Sequence, residues 1–283
     1  MKKALIAPFL AQRIWNRQAF EIDLVRCTSC GFSFYNPRLE DSELARLYSG
    51  YRLNEYFEAR HSNEPWYTSK MNAGLASPES YTHRRKLLAE ILRPHLAGRK
   101  IRKVLDHGGD RGDLVASLID GAEAYVFDIS GVKPADGVLS VSDPSQCEAD
   151  LTINSNVLEH VGFPVSVGRS IFRSVREGSL VFLEVPCENP AALSRIARRV
   201  AQIGLLAILR PSKFLRLLSP KALYLMHEHI NYFTLSSLEK LTQICGGRII
   251  ASGLYSSSGA GGTADIGWTL SERGSSAMPA TEY

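Results

Sequence analysis

Long apolar runs, cysteine-rich stretches and a strong net charge are all missing from this sequence of 283 residues. No stretch approaches the roughly 20 apolar residues that cross a bilayer, so we expect no transmembrane helix. The five cysteines are an odd number and mostly scattered, which does not fit a disulfide framework. A net charge of +4 is too small to imply a nucleic-acid partner. We therefore expect a globular protein of the reducing cytoplasm without a signal peptide, because Pro8 interrupts the short apolar patch near the start.

A glycine-rich turn follows an apolar run in the middle of the chain. The run of residues 102–106 ends in an acid, Asp106. Three closely spaced glycines follow it: Gly108, Gly109 and Gly112. Glycine tolerates positive φ and leaves the backbone open to a ligand. Residues 113–119 predict a helix whose first turn would add free N–H groups. The pattern predicts a buried strand, a tight turn and a helix arranged to bind a ligand.

A second acid follows at a distance typical of nucleotide-binding sheets. Residues 124–128 form another short apolar run, and it ends in Asp128. An acid at the end of the second strand of such sheets accepts hydrogen bonds from ribose hydroxyls. The glycines follow the pattern D-x-G-x-x-x-G instead of G-x-G-x-x-G. This spacing disfavours a nicotinamide-dependent oxidoreductase, which remains an alternative.

Strands and helices alternate from residue 101 onward, which favours an α/β fold with a doubly wound parallel sheet. The predicted strands are residues 102–106, 124–128, 138–141, 150–155, 179–185, 248–255 and 264–270. The predicted helices include one capped by Ser77 and those of residues 165–175 and 236–245. We divide the chain into an aromatic-rich segment (1–75), a ligand-binding domain (76–270) and a disordered tail (271–283).

Two polar clusters are candidates for chemistry. Asn156 follows the fourth strand, where open α/β sheets bind ligands, and Glu159 and His160 either catalyse or brace the loop. The run His227-Glu228-His229 is costly to bury without partners, and histidine is the usual general base near neutral pH. Its spacing is not H-E-x-x-H. A general base, a structural loop and a metal held with a third ligand from elsewhere all remain open for this run.

These motifs resemble those of class I S-adenosylmethionine-dependent methyltransferases. The shared features are the glycine turn, the V-L-E-H-V run of residues 157–161 and the E-V-P run of residues 184–186. The usual first motif of that family is D-x-G-x-G-x-G, and Asp110 stands at its central glycine. The H-E-H-x-x-Y-F run of residues 227–233 is similar to the Y-H-E-H-x-x-Y-F-S of sugar C-methyltransferases, with Met226 in place of the tyrosine.

The resemblance implies a Rossmann-like methyltransferase that modifies a sugar or glycan precursor in polysaccharide biosynthesis, with S-adenosylmethionine as cofactor. It implies that His229 deprotonates the acceptor, Glu228 orients His229 and His227 binds substrate, with no metal in the catalytic site. The implied cofactor-binding residues are Asp106, Gly108, Gly109, Asp110, Gly112, Asp128 and Asn156. A degenerate methyltransferase fold that acts as a binding or assembly protein is the alternative, since Asp110 interrupts the glycine motif.

The N-terminal segment carries half of a zinc-ribbon pattern. Cys27 and Cys30 form C-x-x-C-G, in which the glycine permits a tight knuckle around a metal. A structural zinc needs four ligands, and no second C-x-x-C precedes this one. The segment resembles the N-terminal part of bacterial sugar methyltransferases, whose earlier cysteine pair is missing here. We favour a metal-free remnant, with zinc at these two cysteines as the alternative.

Residues 190–222 interrupt the alternation with a basic amphipathic stretch. They contain seven Lys or Arg residues and no acid. One interpretation is a helical lid over the substrate site, with its arginines in solvent. The other is contact with an anionic membrane surface. Both interpretations are compatible if the acceptor is lipid-linked or phosphorylated. We expect a small-molecule or lipid-linked sugar as partner, with peripheral contact at the inner face of the membrane.

Overall fold

The computed structural model describes residues 1–51, 53–74, 77–259 and 262–274. The strands in chain order are β1 (Lys2–Leu5), β2 (Glu21–Arg26), β3 (Ser33–Asn36), β4 (Lys103–His107), β5 (Glu123–Phe127), β6 (Val138–Ser140), β7 (Leu151–Ser155), β8 (Leu180–Pro186), β9 (Asn231–Tyr232), β10 (Gly247–Gly259) and β11 (Gly262–Arg273). The α-helices are α1 (Pro8–Trp15), α2 (Asp41–Tyr48), α3 (Asn54–Asn63), α4 (Ser69–Gly74), α5 (Pro78–Leu96), α6 (Pro164–Ser174), α7 (Leu193–Leu209), α8 (Pro211–Phe214) and α9 (Leu235–Ile244).

A seven-stranded sheet with the order β10-β11-β8-β7-β4-β5-β6 forms the centre of the fold. Strands β4 to β8 pair in parallel, and β11 joins β8 antiparallel. All seven residues of β8 are buried, because helices cover both faces of a sheet of this type. Val181 and Leu183 pack on the side of α6 and α9, whereas Phe182 packs on the side of α5. The predicted α/β fold with a doubly wound sheet is confirmed.

A second sheet joins the N-terminal segment to the H-E-H region. It has four antiparallel strands in the order β1-β2-β3-β9, and β9 begins two residues after His229. One hydrophobic cluster combines Phe9 and Leu10 of α1 with Leu206 of α7 and Met226. The aromatic N-terminal segment therefore shares a core with the insertion of residues 190–222 and packs against the residues that flank the H-E-H run.

Two sequence predictions fail locally. The helix predicted over residues 113–119 is wrong, because the segment forms consecutive turns around left-handed residues at Gly112 (φ 76°) and Ser117 (φ 59°). It still buries Leu114, Val115 and Leu118 against α5 and the sheet. The predicted disordered tail is wrong at its start, since β11 extends to Arg273 and Ser271 is buried. The rest of that prediction, residues 275–283, lies outside the described residues.

Helix α5 begins as the sequence predicts. The Ser77 hydroxyl caps it by accepting a hydrogen bond from the backbone N–H of Ser80 at 3.2 Å. This helix brings Arg84 to the end of β7, where its guanidinium donates to the Ser155 hydroxyl at 2.7 Å. Within the described part of the chain, each helix is too short or too polar to serve as a membrane span.

Candidate active site

The glycine turn that follows β4 has an alternating backbone conformation. Gly108, Asp110 and Gly112 are left-handed, with φ of 80°, 56° and 76°. These are the three positions at which the D-x-G-x-G-x-G motif has glycine. A Cβ atom at Gly108 would approach Val157 Cγ2 to 2.8 Å, and one at Gly109 would overlap the carboxyl group of Asp106. Gly108 is therefore needed both for its left-handed backbone and for the close approach of Val157. Gly109 is needed only because a side chain there would overlap Asp106.

Asp106 is a buried acid directly before this turn. Its side chain is only 2% exposed, and its Oδ2 has no hydrogen-bond partner among the described residues. Burial raises the pKa of Asp106 to about 7, although Arg84 works in the opposite direction. A buried carboxylate without a partner is costly, and an ammonium or N–H group of a bound ligand would satisfy it. Asp106 is thus suited to the amino-acid part of the predicted cofactor.

Asp128 and Asn156 directly follow β5 and β7, the two strands that flank β4 in the sheet. The Asp128 carboxylate accepts hydrogen bonds from the backbone N–H groups of Asp110 and Ser130, both at 2.8 Å. An ionised carboxylate has about four acceptor positions, so two remain for ribose hydroxyls. Asn156 is left-handed with φ 56°, and its Oδ1 is buried without a partner in the described structure. The predicted cofactor-binding residues therefore all lie at one edge of the sheet.

Asp110 departs from the glycine expected at its position, and this departure is testable. Left-handed backbone costs an L-residue roughly 1–2 kcal/mol, with Asp among the residues that tolerate it best. We expect Asp110→Gly to raise the free energy of unfolding by about 0.5–1 kcal/mol and to leave cofactor affinity equal or tighter. Urea unfolding and calorimetry with S-adenosylhomocysteine measure these two effects. Weaker binding in the variant would show that the Asp110 side chain contributes a ligand contact.

His229 is held by a carboxylate that the sequence analysis did not select. Its Nδ1 lies 3.1 Å from Oε2 of Glu188, which also accepts a hydrogen bond from Arg195 at 2.6 Å. Burial lowers the pKa of His229, but the hydrogen bond and charge of Glu188 outweigh this and raise it overall. The prediction that Glu228 orients His229 is wrong. Glu188 lies two residues after the end of β8, and the rule that ligands bind beyond the carboxyl ends of strands could have identified it.

Glu228 and His227 belong instead to a buried ionic cluster. Glu228 accepts hydrogen bonds from Tyr56 at 2.8 Å and Arg60 at 2.9 Å. His227 uses both ring nitrogens inside the protein: Nε2 contacts Glu64, and Nδ1 accepts from the backbone N–H of Glu228. Burial would raise the pKa of Glu64, yet His227 and Arg60 hold it at about 2. Both ring nitrogens of His227 therefore have partners inside the protein, and this geometry does not support its predicted substrate contact.

Glu159 and His160 brace the loop and also lie next to His229. The backbone carbonyl of Glu159 accepts hydrogen bonds from Ile230 and Asn231. His160 Nδ1 lies 2.9 Å from the Tyr48 hydroxyl, and burial lowers the pKa of His160 to about 4. Glu159 is 1% exposed, its Oε2 has no partner among the described residues, and burial raises its pKa to about 7. Ligand atoms of Glu159, His160 and His229 lie within 4.8 Å of one another, so this group could hold a metal, although it contains only one of the two histidines of the H-E-H run.

The C-x-x-C-G turn lacks a comparable set of ligands. Cys27 donates its N–H to the carbonyl of Phe32 at 2.8 Å, and Thr234 donates to the carbonyl of Cys30 at 2.7 Å. In the part of the chain that the structure describes, no group of three His, Cys, Asp or Glu residues includes either cysteine. Two thiolates do not complete a tetrahedral zinc site. The turn is held by hydrogen bonds to its own backbone and to the start of α9.

We predict that activity is independent of an added metal. Dialysis against a chelator should change turnover less than about twofold, because proton transfer by histidine needs no metal. Elemental analysis of the purified chain should give sub-stoichiometric zinc. Loss of turnover that Mn²⁺ or Zn²⁺ restores would contradict this and assign a metal to Glu159, His160 and His229. Stoichiometric zinc in the chain with Cys27→Ser, but with turnover intact, would point to the same three residues.

Helix α7, the first helix of the predicted lid, has two arginine side chains on its inner side. Arg195 donates to Glu188, and its guanidinium lies 4.9 Å from the ring centroid of Tyr232. Burial lowers the pKa of Arg199, which lies one turn further on and is half-buried. The expectation that the arginines of this segment lie in solvent is wrong for these two. Arg195 was missed as a site residue because nothing in the local sequence distinguishes it from Arg198.

The chain is similar to known methyltransferases. In solved structures it resembles 1,6-didemethyltoxoflavin-N1-methyltransferase from Burkholderia thailandensis (15% identity, TM-score 0.48, 89% of this chain and 95% of that chain). It also resembles magnesium protoporphyrin IX methyltransferase from Synechocystis PCC 6803 (15% identity, TM-score 0.42, 68% of this chain and 84% of that chain). A third similar structure is a SAM-dependent methyltransferase from Methanosarcina mazei (15% identity, TM-score 0.45, 64% of this chain and 96% of that chain). None of the curated proteins matches the chain in sequence.

The model of a family described as a methyltransferase domain matches residues 80–251, more than half of the chain. The chain therefore belongs to this methyltransferase domain family.

Proposed function

We propose that the chain transfers a methyl group from S-adenosylmethionine to an oxygen or carbon of a sugar or glycan precursor. The observation that carries the proposal is the turn of residues 108–112. Its three left-handed positions and the unpartnered oxygen of Asp106 are suited to a ligand that brings both an ammonium group and a close backbone contact. Asp128 and Asn156 extend this edge toward a ribose.

When bound, S-adenosylmethionine supplies an electrophilic methyl group on a sulfonium. Asp106 and the glycine turn would hold its methionine part, and Asp128 its ribose. Methyl transfer requires that the nucleophile attack in line with the bond that breaks. Holding both reactants in one orientation is therefore a large part of catalysis, up to about 7–11 kcal/mol in well-oriented reactions.

His229 is the proposed general base. Glu188 engages its Nδ1, which leaves Nε2 to accept the proton of the acceptor. Arg195 holds Glu188 in turn, so the base is positioned by a chain of two charged contacts. The acceptor class rests on the polar surroundings of His229, which include Glu159 and Glu188, and on the H-E-H-x-x-Y-F run. A polyhydroxylated acceptor offers the hydroxyl groups that these side chains can bind.

Two measurements test the proposal in sequence. Calorimetry with S-adenosylmethionine tests the cofactor, and a labelled-methyl screen against nucleotide-sugars tests the acceptor. We expect saturable binding of one cofactor per chain and methyl incorporation into one sugar class. No binding at millimolar cofactor would contradict the proposal and favour a binding or assembly protein. Binding with methyl incorporation only into acceptors other than sugars would overturn the acceptor class alone.

The pH dependence of turnover tests the link between Glu188 and His229. Only neutral His229 accepts a proton, so turnover should rise with pH as His229 deprotonates. Since its pKa is raised above the ordinary histidine value, the rise should lie above about pH 6.5. Glu188→Gln removes the charge that raises this pKa, so the rise should move to lower pH and the plateau should fall by about tenfold. An unchanged midpoint in the variant would show that His229 does not control the rate.

We further propose that the protein works at the inner face of the membrane. The support is the basic, amphipathic composition of residues 190–222 and the exposed apolar side chains on the outward side of α7.

A further inference from the structure

The outward face of α7 is apolar, which is the reverse of an ordinary surface helix. Leu193 and Ile208 are 85% and 78% exposed, and Val200 between them is also exposed. These residues are seven and eight positions apart, so they lie along one side of the helix. The small residues between them on that side are exposed as well: Ala197, Ala201 and Gly204. We call this row the outer face of α7.

The apolar surface continues beyond the end of α7. Leu215 and Leu218, in the turns after α8, are 65% and 61% exposed, and Leu209, the last residue of α7, is also exposed. The inner side of the same segment is already occupied: Leu206 and Leu217 are buried in the N-terminal core, and Arg195 contacts Glu188. The exposed residues are therefore not left over from a poorly packed helix. A contiguous apolar patch of this kind marks an interaction surface.

The charge of the segment identifies the kind of partner. Between Glu188 and Glu228 the chain has seven Lys or Arg residues and no acid. Arg195 and Lys221 pair with acids of the chain, and Arg199 is half-buried, so only part of this charge faces outward. Both of these flanking acids face inward, to His229 and Arg60 respectively. Arg198 and Arg210 are exposed beside the outer face. Apolar side chains among cations fit an anionic lipid surface. A second copy of the chain would place two basic faces against each other, which is unfavourable.

We propose that the outer face of α7, with Leu209, Leu215 and Leu218, docks on a membrane that contains anionic phospholipids. The helix lies in the plane of the interface, with its apolar residues among the acyl chains and its basic residues at the phosphates. This docking rests on the membrane attachment proposed above, but it does not depend on the proposed methyl transfer. If the methyl transfer holds, Arg195, which contacts Glu188 beside His229, lies on the side of α7 opposite the lipid headgroups.

Vesicle flotation of the full-length chain tests the proposal without any measurement of activity. The probes are phosphatidylcholine vesicles with and without phosphatidylglycerol. We expect flotation with the anionic vesicles only, and release at high salt. Ile208→Glu with Leu215→Glu should weaken binding by about tenfold or more, because the double variant loses two buried apolar side chains. Arg210→Gln should weaken it by about fivefold.

The matched control is Leu254→Glu, which places the same charge at a leucine of β10 that is 56% exposed. It should bind vesicles as the unmodified chain does, and circular dichroism should show the same fold in all variants. Absence of flotation with anionic vesicles would overturn the proposal. Equal loss in the control, or no loss in the double variant, would also overturn it. A dimer in sedimentation that the double variant dissociates, without vesicle binding, would assign the face to a second copy instead.

Discussion

His229→Ala should lower turnover by about 10²- to 10⁴-fold, the contribution expected of a positioned general base. Its affinity for S-adenosylhomocysteine should stay nearly the same. The reason is that the structure separates the two functions: His229 is held by Glu188 after β8, whereas the glycine turn follows β4. The measurement is single-turnover kinetics with the identified acceptor, together with calorimetry. The side chain is about one-third exposed, so its removal leaves no large internal cavity.

His83→Ala is the control for this experiment, because His83 is an exposed histidine of α5 outside the candidate active site. It should have the turnover of the unmodified chain. Addition of imidazole should restore part of the activity of His229→Ala if the lost function is proton transfer. Turnover of His229→Ala within about threefold of the unmodified chain would remove His229 from the mechanism, since a base contributes far more than that.

Gly109→Ala should weaken cofactor binding by about 10- to 100-fold. The added methyl group would overlap the Asp106 carboxyl group, which is buried and cannot move aside without losing its position at the end of β4. Overpacking of this kind costs about 1–3 kcal/mol, and each 1.4 kcal/mol corresponds to a factor of ten in affinity. Calorimetry with S-adenosylhomocysteine measures the affinity, and thermal unfolding shows whether the variant is folded.

Gly204→Ala is the matched control, because a Cβ at Gly204 meets no atom within 4 Å. It adds the same methyl group in open space and should leave cofactor affinity unchanged. A folded Gly109→Ala variant that binds the cofactor as tightly as the unmodified chain would show that Asp106 and the turn are not part of the cofactor site.

The elements that the sequence predicted well are those with strong local patterns. The parallel strands are short apolar runs, and Ser77 and Thr234 are polar caps, so both types were predictable from neighbouring residues. The apolar spacing of residues 113–119 is correct for a helix, but left-handed residues at Gly112 and Ser117 interrupt the helical conformation, so the segment forms turns. Backbone handedness at a serine has no sequence signal.

The candidate site was predictable in its cofactor half and less so in its acceptor half. Asp106, Asp128 and Asn156 follow strands, and the rule for open sheets places them at one edge. The partners of the H-E-H run come from distant parts of the chain: Tyr56, Arg60 and Glu64 lie more than 160 positions before it. Only the packing of the N-terminal segment against β9 brings them together, so Glu228 was assigned to the wrong partner.

The proposed binding site for S-adenosylmethionine is the turn of residues 108–112, which follows β4. A crystal structure of the chain with S-adenosylhomocysteine tests it most directly. We predict density for the ligand along residues 108–112, with its ribose hydroxyls on the Asp128 carboxylate and its amino group near Oδ2 of Asp106. Density for the Asp110 side chain in that space, with the ligand bound elsewhere or not at all, would contradict the account.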